Sequence, residues 1–299
     1  MKIGVIGLGS MGYGIAASLL RAEHLVYGAD VNPAAVERLR ADGGAKSDLV
    51  SVALELDAVV VVVLNAVQVE EVLFGNGGIV ARLAAGAVVI LCVTVSPEYV
   101  RGVAKRCAAL GLDFLDAPIS GGSVKAAHGK LSIMASGAPD TFKKVRPALD
   151  AMAETVFDLG DSAGAGSAMK AVNQMLAGVH IAAMAEAITF GMTQGIDPET
   201  FMKVIPRCAG TSWMLENRAP HIVSGDYTPH SAVDIWPKDL GIVLDAARAS
   251  KFAAPITAAA LQQFLAASGM GLGREDDAAV AKVYARNASL TLPERSEKV

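Results

Sequence analysis

The sequence predicts an α/β chain: a doubly wound, largely parallel sheet followed by an all-helical C-terminal domain. Three observations carry this. Short apolar runs alternate with helical patterns from residue 1 to about 160, a glycine-rich turn joins the first strand to the first helix, and helical periodicity takes over beyond Gly160.

In chain order, the first strand is expected over 3–6, a helix over 11–22 and a second strand over 25–29. Asn32 then reads as an N-cap with Pro33 at the first helical position, and Gly43 as the stop. Further strands are expected at 58–64, 88–92, 114–117 and 131–135, with helices between most of them, including 97–110. The run 58–64 is apolar throughout, as a parallel strand buried on both faces requires. The small-residue segment DSAGAGSAMK (161–170) opens a long helix to about residue 194. Later helices begin near Pro198, Ser212, Trp236, Pro255 and Asp276, with no convincing strand among them. The domains are therefore expected at 1–162 and 163–299, with a polar tail, LPERSEKV, that frays.

Composition excludes several classes. Apolar residues make up 53% and charged residues 19%, which is not the balance of a disordered chain. A net charge of -4 and a pI of about 5.8 leave no basic excess for nucleic acid, and no Lys/Arg run for an anionic membrane surface. Mean hydropathy is positive, at +0.42, but the most apolar stretch, 58–64, is too short to span a bilayer. The N-terminus enters a strand at once and lacks signal-peptide architecture. Cys92, Cys107 and Cys208 are odd in number and lack metal-ligand spacing; they are expected to be small buried hydrophobes in a reducing cytoplasm, and no metal is expected.

Gly7, Gly9 and Gly12 form G-x-G-x-x-G within GLGSMG, which also holds Ser10 and Met11. Such a turn needs glycine first for its curvature, second for close approach of a pyrophosphate, and third for packing of helix on strand. The helix N-terminus then faces the phosphates. Asp30 follows at the end of the second strand, 18 residues after Gly12. A carboxylate there accepts from ribose hydroxyls and repels a 2′-phosphate, so NAD is the expected cofactor.

Two other segments carry polar groups that the fold does not need. DAPISGGSVKAAHGKL (116–131) leaves the carboxyl end of a strand, and its Ser120, Gly121 and Gly122 offer a hydroxyl and bare N–H groups to a carboxylate; the bland reading is an ordinary turn. In GAGSAMKAVNQ (164–174), Lys170, Asn173 and Gln174 stand at i, i+3 and i+4. A Lys in an apolar helix suits a general base, or simply snorkels. DIWPKD (234–239) adds Lys238 and Asp239; read alone it is a helix start.

GLGSMG, the turn Thr94-Val-Ser-Pro97, DAPISGG, GAGSAMK and KDL, in this order and over nearly the whole chain, resemble the β-hydroxyacid dehydrogenase family, which includes 3-hydroxyisobutyrate dehydrogenase and tartronate semialdehyde reductase. The resemblance implies a Rossmann domain, a helical domain on a long connecting helix, and a substrate site in the cleft between them. It implies Lys170 as acid/base, and Ser120, Gly121 and Gly122 on the substrate carboxylate. It places Leu64, Asn65, Thr94 and Lys238 on the cofactor. The chain departs from the family at LCV before Thr94 and at Gln174, where Asn is usual; Gln reaches one methylene further, and Asn173 and Gln174 are expected among the substrate-binding residues. With GTSWMLENR and SAVDIWPKDL, Gln174 is most similar to the L-threonate dehydrogenase subgroup. The expected activity is NAD-dependent oxidation of L-threonate or a close sugar acid. The alternatives are 2-hydroxy-3-oxopropionate (tartronate semialdehyde) reductase, 3-hydroxyisobutyrate dehydrogenase, or a dinucleotide-sensing module without catalysis, against which Lys170 speaks. The apolar helix AGVHIAAMAEAITFGM (177–192) calls for cover on every side, hence a homodimer or homotetramer. No H-E-x-x-H or Walker A pattern is present.

Overall fold

Parallel strands need crossover helices, and the alternation of short buried strands with helices dictates the first unit. The computed structural model describes residues 1–295; the last residues of the tail expected to fray, 296–299, lie outside them. The chain forms two compact units, Met1–Lys170 and the residues from Ala171 onward.

The first unit contains β1 (Lys2–Ile6), α1 (Ser10–Arg21), β2 (Leu25–Ala29), α2 (Pro33–Ala41), β3 (Ala58–Val61), α3 (Ala66–Phe74), β4 (Val88–Leu91), α4 (Pro97–Ala109), β5 (Asp113–Asp116), β6 (Ile119–Ser120), α5 (Gly122–Ala127), β7 (Leu131–Ala135), α6 (Pro139–Met152) and β8 (Ala153–Asp158). It ends within the first turns of α7 (Ala165–Thr193). Five strands form a parallel sheet in the order β2-β1-β3-β4-β5. Alternate side chains feed two cores. Ile3, Val5, Val60 and Ile90 pack with α1 and α6 on one face, while Val59, Val61, Val89 and Leu91 pack with α3 and α4 on the other. Both faces are covered, as an all-parallel sheet requires.

The structure refines three expectations. The apolar run 58–64 is a strand only to Val61, because residues 62–64 leave the ladder toward the N-cap of α3. Strand 131–135 does not extend the main sheet; it lies at the centre of a second sheet, β6-β7-β8, antiparallel to β6 and parallel to β8. A single antiparallel bridge, Asp116 with Ser136, links the two sheets. Cys92 and Cys107 are buried, and burial pushes their thiols up to about 12 and about 11. Cys208, expected to be buried, is exposed because it follows the 3₁₀ turn Ile205–Arg207 that ends α8.

The second unit holds the rest of α7, then α8 (Pro198–Val204), α9 (Trp213–Ser224), α10 (Ile235–Ala249), α11 (Pro255–Ala267) and α12 (Ala281–Asn287). Its core includes Ile181, Met184, Ile188, Trp236, Leu240 and Phe264, the last stacked on Trp236. Buried among the helices, Arg218 donates from Nε to Asp277 (2.6 Å), whose other oxygen accepts from Trp236 Nε1 (2.9 Å). Burial pushes the Asp277 carboxyl up, and the Arg218 guanidinium pulls it back. By length and hydropathy α7 would suit a bilayer, but 44% of its most apolar window is buried inside the protein.

Gly12 marks the tightest approach in the first unit. A Cβ there would fall 1.8 Å from the Gly7 carbonyl oxygen, a backbone atom that cannot swing away. Gly12→Ala is therefore expected to destabilise the protein by roughly 1–3 kcal/mol, the scale of core overpacking. Urea unfolding at the wild-type midpoint would show that the turn has room for a methyl group.

Candidate active site

In a parallel sheet every strand ends at the same edge, and here that edge gathers the predicted cofactor residues. Gly7 follows β1, Asp30 follows β2, Leu64 and Asn65 follow β3, and Thr94 follows β4. The chain crosses from β1 to β2 on one side and to β3 on the other, so the glycine turn sits at the topological switch point.

The turn has the shape a pyrophosphate needs. Gly7 has φ +90°, and a Cβ there would strike the Val62 carbonyl at 2.3 Å. A Cβ on Gly9 would meet nothing within 4 Å, so the backbone faces open space where a phosphate would approach. Gly9 is the N-cap of α1 and brings no capping side chain, while Ser10 is exposed and Met11 half-buried. The first amides of α1 thus remain available to an anion. Asp30 accepts from Leu8 N (2.5 Å) through one oxygen and from Asn32 N (2.8 Å) through the other. It orders the turn and still has lone pairs for ribose hydroxyls. These residues fit a dinucleotide. Asn65 also caps α3, where its side chain accepts from Gln68 N (2.9 Å), and Gln68 accepts in return from Leu64 N (2.8 Å).

The start of α7 is tied to the end of β5. Asp116, completely buried, accepts from Gly164 N (2.9 Å), Ser167 N (2.8 Å) and Ser167 Oγ (2.7 Å), with Ser136 Oγ at 3.3 Å. Ser136 Oγ in turn accepts from Gly166 N (3.0 Å). Three of the amides at the helix start are thus satisfied by side chains remote in sequence, and the carboxylate lies at the positive end of the helix dipole. Gly166 permits the close approach, since a Cβ there would sit 2.3 Å from the Met134 carbonyl. Lys170 follows Ser167 by three residues and is buried, at 8% exposure. The sequence pattern did not reveal Asp116, Ser136 and Ser167 as one group; the only signal was three polar residues at the ends of apolar segments.

Ser120 lies in β6, paired with Ser132, and Gly121 (φ +134°) and Gly122 (φ +78°) make the turn into α5. A Cβ on Gly122 would meet nothing within 4 Å, whereas one on Gly121 would crowd the Lys125 side chain at 3.0 Å, so the turn is open at Gly122.

In the second unit, Gln174 is buried and engaged with its own protein. Its Nε2 donates to Asp239 Oδ2 (2.5 Å), and its Oε1 accepts from Asn173 Nδ2 (2.9 Å). Asp239, also buried, pairs through Oδ1 with Lys238 Nζ (2.8 Å). The four side chains form one polar chain, Lys238–Asp239–Gln174–Asn173, in which Asp239 is the member whose role the sequence did not disclose.

Asp116 generates a test. Burial raises its carboxyl above the usual aspartate value, opposed by hydrogen bonds from Ser167, Gly164 and Ser136. A carboxyl raised on folding favours the folded state most at acid pH, and that contribution falls as pH climbs from its ordinary 3.8 through the raised value. Asp116→Asn keeps an acceptor for the amides and removes the buried charge, so it is expected to change stability by about 1 kcal/mol or less. Asp116→Ala strands several donors and is expected to cost about 3 kcal/mol or more. Equal unfolding midpoints for the two variants in urea would contradict this reading.

Comparison with known proteins fits this geometry. Residues 2–160 match the NAD binding domain of 6-phosphogluconate dehydrogenase, and residues 164–284 match the NAD-binding domain of NADP-dependent 3-hydroxyisobutyrate dehydrogenase. The chain is 47% identical to the L-threonate dehydrogenase of Cupriavidus necator, over 99% of each chain. It is 45% identical to that of Escherichia coli K12, over 97% of this chain and 96% of the other. A crystal structure of 3-hydroxyisobutyrate dehydrogenase from Salmonella typhimurium superposes with a TM-score of 0.90 at 46% identity, covering 95% of this chain and 99% of that one. The chain belongs to the 3-hydroxyisobutyrate dehydrogenase-like family of NAD-dependent hydroxyacid dehydrogenases.

Proposed function

We propose that this chain oxidises L-threonate, or a close polyhydroxy acid, at the carbinol next to the carboxylate, with Lys170 as general acid/base. One observation carries the substrate: five relatives named L-threonate dehydrogenase are 44–47% identical over nearly the full chain, whereas a 3-hydroxyisobutyrate dehydrogenase from Pseudomonas aeruginosa is 37% identical.

In this reading Ser120 and the turn of Gly121 and Gly122, open at Gly122, bind the substrate carboxylate. Lys170, buried near the start of α7, takes the proton of the adjacent hydroxyl. Bound NAD supplies the hydride acceptor. Gly7, Gly9, Ser10, Met11 and Gly12 would hold its pyrophosphate and Asp30 its ribose, with Leu64, Asn65, Thr94 and Lys238 as further contacts. The Asp30 carboxylate favours NAD over NADP by repelling a 2′-phosphate. Gln174 acts through Asn173, because its amide atoms are hydrogen-bonded to Asn173 and Asp239. It is a positioning residue rather than the direct ligand its extra length suggests. Exposed Val172 and Leu176, at i and i+4 on α7, support a homodimer or homotetramer, and three unpaired cysteines suit the cytoplasm.

The Salmonella relative, a 3-hydroxyisobutyrate dehydrogenase by name, favours 3-hydroxyisobutyrate as a second reading. The deciding measurement is kcat/KM at saturating NAD for L-threonate, 3-hydroxyisobutyrate and D-glycerate. L-threonate is expected to lead by ~100-fold or more, the scale on which a site built to hydrogen-bond a substrate hydroxyl rejects an analogue without it. A lead for 3-hydroxyisobutyrate would replace the proposed substrate with the second reading. Inertness of all three, with NAD still bound, would remove the substrate class.

A further inference from the structure

The helical unit contains a cluster for which hydroxyacid oxidation has no use. His221 lies near the end of α9, His230 in the loop that follows, and Asp276 just before the 3₁₀ turn Asp277–Val280. His221 Nδ1 is 2.7 Å from the Asp226 carbonyl oxygen. That oxygen can only accept, so Nδ1 carries a proton, and in the neutral ring Nε2 is the nitrogen with a lone pair to offer. The lone-pair nitrogen stands 3.4 Å from His230 Nδ1 and 3.9 Å from Asp276 Oδ2. All three donor atoms lie within 4.8 Å of one another, and the imidazoles meet edge to face, at 86°.

We propose that His221 Nε2, His230 Nδ1 and Asp276 Oδ2 bind a divalent first-row transition ion of the Zn²⁺ type. Three independent features support this. The first is spacing: metal–nitrogen bonds of about 2.0–2.1 Å at tetrahedral angles place neighbouring donors roughly 3.3–3.4 Å apart. The His–His distance already meets this, and the His221–Asp276 distance needs a closure of about half an ångström to do so. The second is outer-sphere order. A ligand imidazole that donates its other N–H to a backbone carbonyl is the usual arrangement at metal sites, and Asp276 is held in turn by His230 N (2.8 Å) and Ala278 N (3.1 Å). The third is charge. Asp276 and Asp277 are both completely buried and share one guanidinium: Arg218 Nε is 2.6 Å from Asp277 and 3.9 Å from Asp276. The other charged neighbours are already paired, Asp226 with Arg295 (3.5 Å) and Glu275 with Lys282 (2.5 Å). A cation at the imidazoles would balance the second carboxylate.

The site opens onto a cavity of about 420 Å³ whose wall includes His221, Asp226 and His230, so water can fill the remaining coordination position. The ion would staple α9, its following loop and the turn at Asp276. It would add to the stability of the helical unit and take no part in hydride transfer.

The test uses untagged full-length protein, stripped with a chelator and titrated with Zn²⁺ by calorimetry and with Co²⁺ by visible absorption. The expected result is one Zn²⁺ per chain, d–d bands of four-coordinate cobalt, and a higher melting temperature with Zn²⁺ at roughly 100 times its Kd. His230→Ala removes an exposed ligand that the core does not need, and His221→Gln removes the second nitrogen. Each is expected to weaken Zn²⁺ by at least about tenfold while leaving the circular dichroism spectrum unchanged. Absence of stoichiometric binding, or equal Zn²⁺ affinity in His230→Ala and the wild type, would overturn the proposal.

Discussion

The arrangement of the first unit turns on one buried carboxylate. Asp116 ends β5 and receives hydrogen bonds from Gly164 and Ser167 at the start of α7. A 29-residue helix that begins inside a protein must satisfy its first amides, and Gly164 and Ser167 meet that demand with a group 48 to 51 residues away. The consequence is positional: the tether sets where the helix starts and how it is rotated about its axis. Lys170, less than one turn beyond Ser167, inherits its location from that contact. Glycine at 166 belongs to the same device, because any side chain there would push the helix off the Met134 carbonyl.

The opposite half of the carboxyl edge follows a similar logic. Gly7 and Gly12 are required by sub-van der Waals clearances, whereas Gly9 faces open space and no neighbouring atom of the protein demands glycine there. Asp30 reaches back to Leu8 N, so the group expected to read the ribose also holds the turn that faces the phosphates. With Asp30 on the ribose as proposed above, its removal would disturb cofactor binding through two routes, one direct and one through the turn.

Much of this was legible in the sequence wherever a local rule operates. Leu25–Ala29 and Leu131–Ala135 are strands over the residues their apolar runs indicate, and Asn32-Pro33 starts a helix as its capping chemistry requires. The glycine spacing and Asp30 located the cofactor edge because that motif is contained in 24 consecutive residues. Other features were not legible. β8, AETVFD, lies at the edge of the small sheet with most of its residues exposed, so it shows no buried run. β6 is two residues long and exists only through its pairing with β7. Gln174 meets Asp239 across 65 residues, and Asp116 meets Ser136 across 20, by tertiary placement alone. The length of Gln174 suggested reach toward a ligand, whereas the fold directs that reach to Asp239. His221, His230 and Asp276 have no metal-like spacing and converge only in the folded helical unit.

With Lys170 as the acid/base proposed above, Asp116 acts on the reaction through it, by fixing the start of α7. A double-mutant cycle measures this directly. With L-threonate and saturating NAD, kcat is compared for the wild type, Asp116→Ala, Lys170→Ala and the double variant, each checked for folding by circular dichroism. Lys170→Ala is expected to lower kcat by at least ~100-fold, the scale of lost acid–base catalysis. Asp116→Ala is expected to lower kcat by about tenfold when Lys170 is present and to have little effect when it is absent, because residues that act through one another are not additive. Equal losses from Asp116→Ala in both backgrounds would contradict the account.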